Sequence, residues 1–110
     1  MAGSLIWTLT ALKELSSIKK YLAKHASPEA AIRVTHQITT ATLRLEEFPD
    51  SGHVVTQLNN PNYKEILVSN YRVIYRRAFG ATEVVRVVHV RRNLRGRAFK
   101  DLRKKRPPRR

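Results

Sequence analysis

The chain has 110 residues, enough for one hydrophobic core and short of what two independent domains would need. It contains no cysteine, which excludes disulfide bonds and thiolate metal sites. The formal net charge is +14, and it is unevenly placed, because residues 91–110 hold eleven Lys and Arg against a single acid, Asp101. An excess of this kind implies a polyanionic partner, whether nucleic acid, an anionic membrane surface or an acidic protein segment. No apolar run approaches the roughly 18–20 residues that a membrane-spanning helix needs, and no basic stretch followed by an apolar one opens the chain. The expectation is a soluble, cytoplasmic protein that does not engage a membrane.

Residues 5–9, LIWTL, are short and apolar and read as a first strand, with Trp7 packing in the core or at its edge. Thr10 can cap a helix whose apolar positions Leu12, Leu15, Ile18 and Leu22 recur at steps of three and four. Lys13, Lys19, Lys20 and Lys24 lie off that stripe and give the helix a basic exterior. A second helix has clear start signals: Ser27 as cap, Pro28 at the first helical position and Glu29 in the first turn. Its stripe of Ala31, Val34, Ile38, Ala41, Leu45 and Phe48 ends at Pro49. Two helices joined this closely are expected to fold back as an antiparallel hairpin. A turn at 49–52, a strand over 53–58 and a break at 59–62 follow.

Residues 63–92 are dense in Val, Ile and Tyr and read as three strands joined by tight turns at Ser69-Asn70 and Gly80-Ala81. With two-residue loops, Leu67 faces Arg72 across the first turn and Arg72 faces His89 across the second. Strand side chains alternate faces, and cross-strand partners share one. One face then holds Ile66, Val68, Tyr71, Val73, Tyr75, Val84, Val88 and Val90, and is expected to seat the helices. The other holds Tyr63, Glu65, Leu67, Arg72, Ile74, Arg76, Val85, Val87, His89 and Arg91, so a carboxylate, an imidazole and several guanidinium groups converge on an outward surface. A loop of different parity would move a strand to the other face and dissolve the cluster.

Residues 93–110 are expected to follow the 1–92 domain as a basic tail, with one short helix near 98–102 and a disordered end. Tyr63, Arg76, Arg91, Arg92, Arg95 and Arg97 are the candidate binding residues. Phe99 is the only aromatic in the tail, which argues against a base-stacking platform. His25, His36 and His53 sit at no metal-ligand spacing, and neither a metal nor a cofactor is expected. The fold class is α+β: an N-terminal strand and an antiparallel helix hairpin packed on a three- to four-stranded antiparallel sheet.

This order of elements resembles the RelE/ParE superfamily of bacterial toxins from type II toxin–antitoxin systems. The resemblance is carried by LEEFP at 45–49, Gly52, YKEI at 63–66, YRVIYR at 71–76 and VVHVRR at 87–92. The last two segments look like the ParE branch. That branch implies a protein that traps DNA gyrase on cleaved DNA without catalysis, arrests growth, stabilises plasmids and is neutralised in a hetero-oligomer by a cognate antitoxin. The RelE branch implies instead an endoribonuclease that enters the ribosome and cuts messenger RNA. On that alternative, Glu65 or His89 would move protons while Arg72, Arg76 and Arg91 would hold phosphate charge. RelE-like enzymes carry an Arg where Arg72 stands, but also a Tyr, His or Phe near the end of the last strand, where this chain has Arg91-Arg92-Asn93. A third reading is a basic RNA-binding protein without toxicity.

Overall fold

The computed structural model describes residues 4–103. Strand β1 (Ser4–Trp7) leads into helix α1 (Leu9–His25), and two residues later helix α2 (Pro28–Leu43) returns antiparallel to it. A 3-10 turn at Arg44–Glu46 ends the hairpin. The remaining strands are β2 (His53–Val54), β3 (Tyr63–Val68), β4 (Tyr71–Ala78) and β5 (Ala81–His89). They form one five-stranded sheet in the order β1-β5-β4-β3-β2. The α+β expectation holds, with a larger, mixed sheet, because β1 joins β5 in parallel while the other pairs are antiparallel.

The cap of α1 is Thr8 and not Thr10. Thr8 keeps the extended backbone of β1, and its amide already donates to Val84 O at 3.0 Å. Its hydroxyl is therefore placed to accept from Ala11 N at 3.1 Å, as an N-cap requires. Starting two residues early rotates the buried stripe to Ala11, Leu15, Ile18 and Leu22, and leaves Leu12 facing outward, 49% exposed. Helix α2 begins as its start signals dictate, with Ser27 Oγ accepting from Ala30 N at 3.0 Å and Pro28 at the first position. Phe48 lies beyond the helix and is exposed, so the expected stripe stops at Leu45.

The first hairpin has the expected turn and register, with Tyr63 facing Arg76, Glu65 facing Ile74 and Leu67 facing Arg72. The second departs in two ways. The turn is Phe79-Gly80, so that Ala78 faces Ala81. Both turn residues have left-handed φ, 53° and 75°, the pattern of a type I′ turn. This shift moves the partners by an even number and leaves the faces unchanged. The second departure is a one-residue bulge at Val85: Tyr75 faces Val84, but Ile74 faces Arg86. An odd insertion exchanges the faces of everything beyond it. Val87 therefore points to the helices, Val88 to the opposite side, and His89 faces Tyr71 while Arg72 faces Val88.

The two faces build two cores. Ala11, Ile18, Val34 and Ile38 pack with Tyr71, Val73, Val84 and Val87 on the helix side, edged by Leu5, Trp7 and Ile66. On the other side, expected to be an outward charged surface, Tyr63, Ile74, Val85 and Val88 are covered by Val55, Leu58, Leu94 and Phe99, with Leu102 against them. The expected strand over 53–58 ends after Val54, and a 3-10 turn at Thr56–Leu58 takes Leu58 inward. The segment expected to begin a tail at 93 turns back onto the sheet, where Leu94 is 0% and Phe99 1% exposed. The short helix foreseen near 98–102 is a 3-10 turn at Arg97–Phe99. The expected disordered end, 104–110, lies outside the described residues.

One tyrosine ties the helix hairpin to the sheet. The buried Tyr75 hydroxyl donates to Pro49 O at 2.7 Å and accepts from Gly52 N at 3.0 Å. Burial raises its pKa above the ordinary phenol range, so it stays a donor through neutral pH. Gly52 has no room for a side chain, since a Cβ there would meet Glu65 O and the Tyr75 hydroxyl, both at 2.6 Å.

Two outcomes follow for urea denaturation of the full chain. Phe99→Ala is expected to cost about 3–5 kcal/mol, the usual range for emptying a core aromatic site, where a residue in a pendant tail would cost nothing. Gly52→Ala is expected to cost about 1–3 kcal/mol through overpacking against backbone and the Tyr75 ring.

Candidate functional site

The residues singled out from sequence fall into three places. Glu65 and Arg72 are together on the second-core side. Arg72 Nη1 donates to Glu65 Oε1 at 2.6 Å, and Arg72 Nε donates to Val90 O at 3.2 Å. Glu65 is 9% exposed, and its other oxygen, Oε2, is buried with no hydrogen-bond partner among the described residues. This is a shielded ion pair whose desolvation is offset mainly by its own short contact. Arg76 donates to Glu83 Oε1 at 2.8 Å and stands 5.9 Å from the Tyr63 ring centroid. Its pKa is raised, first by the bond to Glu83. Tyr63, expected as an accessible aromatic, is buried in the second core.

His89 lies across the sheet from this group, at the helix-side end of β5. Its ring meets Tyr71 edge-on at 5.6 Å between centroids. Arg91 N donates to His89 Nδ1 at 3.1 Å, which makes Nδ1 the acceptor and leaves Nε2 to carry the proton of the neutral ring. The expectation that His89 stands opposite Arg72 is therefore overturned, and the reason is the bulge at Val85. Beside His89, a cleft of about 690 Å³ opens between α1 and the ends of β4 and β5. Its floor is apolar, with Ile18, Leu22 and Val87, and its rim carries Lys13, Tyr21, Asn70 and Arg92.

The third place is the folded C-terminal segment. Arg91, Arg92, Arg95, Arg97 and Lys100 are exposed, and none of them enters an ion pair among the described residues. Their backbone is held in place: Asn93 Oδ1 accepts from Arg95 N at 3.0 Å, and Arg103 Nη1 donates to Gly96 O at 2.6 Å. Arg86 and Arg92 both lie over the Phe99 ring, at 4.2 and 5.1 Å. The candidate binding arginines from 91 to 97 thus sit on an anchored ridge, which patterning could not reveal because charge density alone reads as disorder.

No group of three or more metal-ligating side chains occurs among the described residues. No helix there is long and apolar enough to cross a membrane. What the geometry offers is a buried carboxylate–guanidinium pair on one face, a histidine on the other, and a cationic ridge beside an apolar-floored cleft.

A helix hairpin on the face of an antiparallel meander, with a parallel first strand, is the architecture of the RelE/ParE superfamily toxins. Solved structures show the same fold. A chain described as the chromosomal ParDE TA system from P. aeruginosa aligns over 80% of this chain and 96% of its own length, with TM-score 0.71 and 17% identity. A YoeB/ParE toxin from Agrobacterium tumefaciens aligns over 78% of this chain and 96% of its own, with TM-score 0.51 and 15% identity. In sequence, Toxin RelE2 of Caulobacter vibrioides is 32% identical over 90 residues, covering 82% of this chain and 98% of the relative. Residues 5–94 match the family described as ParE toxin of type II toxin-antitoxin system, parDE. The chain belongs to this ParE toxin family.

Urea denaturation separates the two faces. Arg72→Ala is expected to cost about 3–5 kcal/mol, because it leaves the Glu65 carboxylate buried and unpaired. His89→Ala, at an exposed site with one hydrogen bond to lose, is expected to change stability by about 1 kcal/mol or less.

Proposed function

We propose that the protein is a cytoplasmic growth-arresting toxin that acts by binding DNA gyrase and holding it on cleaved DNA, and that a cognate antitoxin neutralises it in a hetero-oligomeric complex. Membership of the ParE toxin family implies the antitoxin. The observation that carries the non-enzymatic reading is the division of the sheet. A nuclease built from Glu65, Arg72 and His89 needs its base, its acid and its phosphate-binding cation around one substrate. Here Glu65 and Arg72 are shielded by the second core while His89 lies on the helix side. A protein that only binds is under no such constraint, and its exposed cations suit a target that carries DNA.

The ribosome-dependent endoribonuclease is the second reading. The Glu65–Arg72 pair supports it, since it sets a carboxylate and a guanidinium side by side, two of the parts that such a reaction needs. A relative named Toxin RelE2 leans the same way.

A supercoiling reaction with purified gyrase and the full chain is expected to accumulate linear plasmid after protein removal, and His89→Ala is expected to leave the yield within about twofold of wild type. Absence of linear plasmid would defeat the gyrase reading. Under the ribonuclease reading, translated messages would be cut, and Arg72→Lys, which loses the forked guanidinium, would abolish the cuts.

A further inference from the structure

The tip of the β4–β5 hairpin combines two features that both work against the fold. Phe79 has φ of 53°, in the left-handed region that bulky residues avoid, and it occupies the first central position of the turn, where Asn or Gly is the usual residue. Its side chain is also fully exposed, at 105% relative accessibility, so the strain is not offset by burial. Its neighbour Gly80 has open space where a Cβ would be, so nothing crowds the tip. Neither turn geometry nor packing calls for an aromatic here. Strained backbone held by a rigid frame is a mark of functional positions, and the frame is rigid, since β4 and β5 are paired up to Ala78 and Ala81.

We infer that Phe79 is an anchor that inserts into an apolar pocket on the protein this toxin attacks, an inference that rests on the toxin reading above and extends it to a contact residue. A projecting aromatic at a rigid tip is the kind of group that dominates a protein interface, because it removes a large apolar area from water at little cost in conformational entropy. The surroundings of the tip favour a protein partner over nucleic acid. A wedge between base pairs needs free cations on either side to hold the phosphates. Near this tip Arg76 is paired with Glu83 at 2.8 Å and Lys64 with Asp50 at 2.9 Å, while Arg77, exposed on β4, bonds the neutral Thr82 hydroxyl at 2.9 Å. The exposed cations of the C-terminal ridge, which enter no ion pair among the described residues, follow His89, at the other end of β5. An acidic partner segment would be drawn to that end and not to the tip.

The test uses full-length Phe79→Asn and Phe79→Leu. Asn suits the left-handed turn position, so Phe79→Asn is expected to raise the urea midpoint or leave it unchanged. Induced expression in cells at matched protein level is expected to lose growth arrest with Phe79→Asn and to keep most of it with Phe79→Leu. Immobilised purified gyrase is expected to bind Phe79→Asn at least tenfold more weakly than wild type. Growth arrest by Phe79→Asn equal to that of wild type overturns the inference. So does loss of arrest with unchanged gyrase binding and weakened binding to duplex DNA, which would make the tip a DNA wedge. If the wild-type chain arrests growth without binding gyrase, the gyrase reading fails alone, and the growth comparison still decides on Phe79. If the wild type arrests nothing, both fall.

Discussion

A single extra residue, Val85, determines which groups in this molecule can meet. The bulge it makes exchanges the two faces for the rest of β5, sending Val87 to the helices, Val88 to the second core and His89 away from Arg72. Such an insertion leaves backbone groups without ladder partners, and the cap and second turn of α1 supply them. The Thr8 hydroxyl donates to Val85 O at 3.1 Å while also capping the helix. Glu14 accepts from Val87 N at 2.9 Å and from Arg86 Nε and Nη2 at 3.0 and 2.9 Å. Arg86 in turn donates to Ala98 O at 2.9 Å and lies over Phe99. The bulge thus joins the N-terminal helix, the sheet and the C-terminal segment through one charged chain.

The sheet is buried on both sides, and this reshapes where chemistry can occur. Covering the second face consumes Leu94 and Phe99 from a segment, 91–103, that holds six Lys and Arg against one acid. That segment gains a fixed course along the sheet, and its cations are displayed on a folded body. The cost falls on Glu65 and Arg72, which become a shielded pair in place of an open constellation. Exposed surfaces of distinct character are left at the two ends of β5: the cationic ridge and apolar-floored cleft near His89, and the bare aromatic tip at Phe79.

Much of the fold was legible from residue pattern. The second helix announced itself through Ser27, Pro28 and Glu29, because capping and the missing proline N–H are local physics. The β3–β4 register followed from turn parity, since Ser69-Asn70 is a true two-residue loop. The site was less legible. The grouping of its candidate residues depended on counting strand positions through Val85, and one miscount of odd size separates His89 from its expected neighbours. Phe79 was hidden for a related reason: an aromatic next to Gly80 reads as the last strand residue, and only the structure makes it the strained corner of the turn.

Local sequence was sufficient for the helix pair, the strand positions in β3 and β4, and the polyanion-seeking charge, because each depends on neighbours within a few residues or on a sum over the chain. The bulge, the second core and the fate of residues 93–103 were decided only in three dimensions. Each depends on partners more than forty positions apart in at least one contact, such as Thr8 with Val85 and Asn60 with Leu102. Valine in β5 suits either face equally well, so no single residue there could say which way it turned until α1 supplied the groups that make the extra residue affordable.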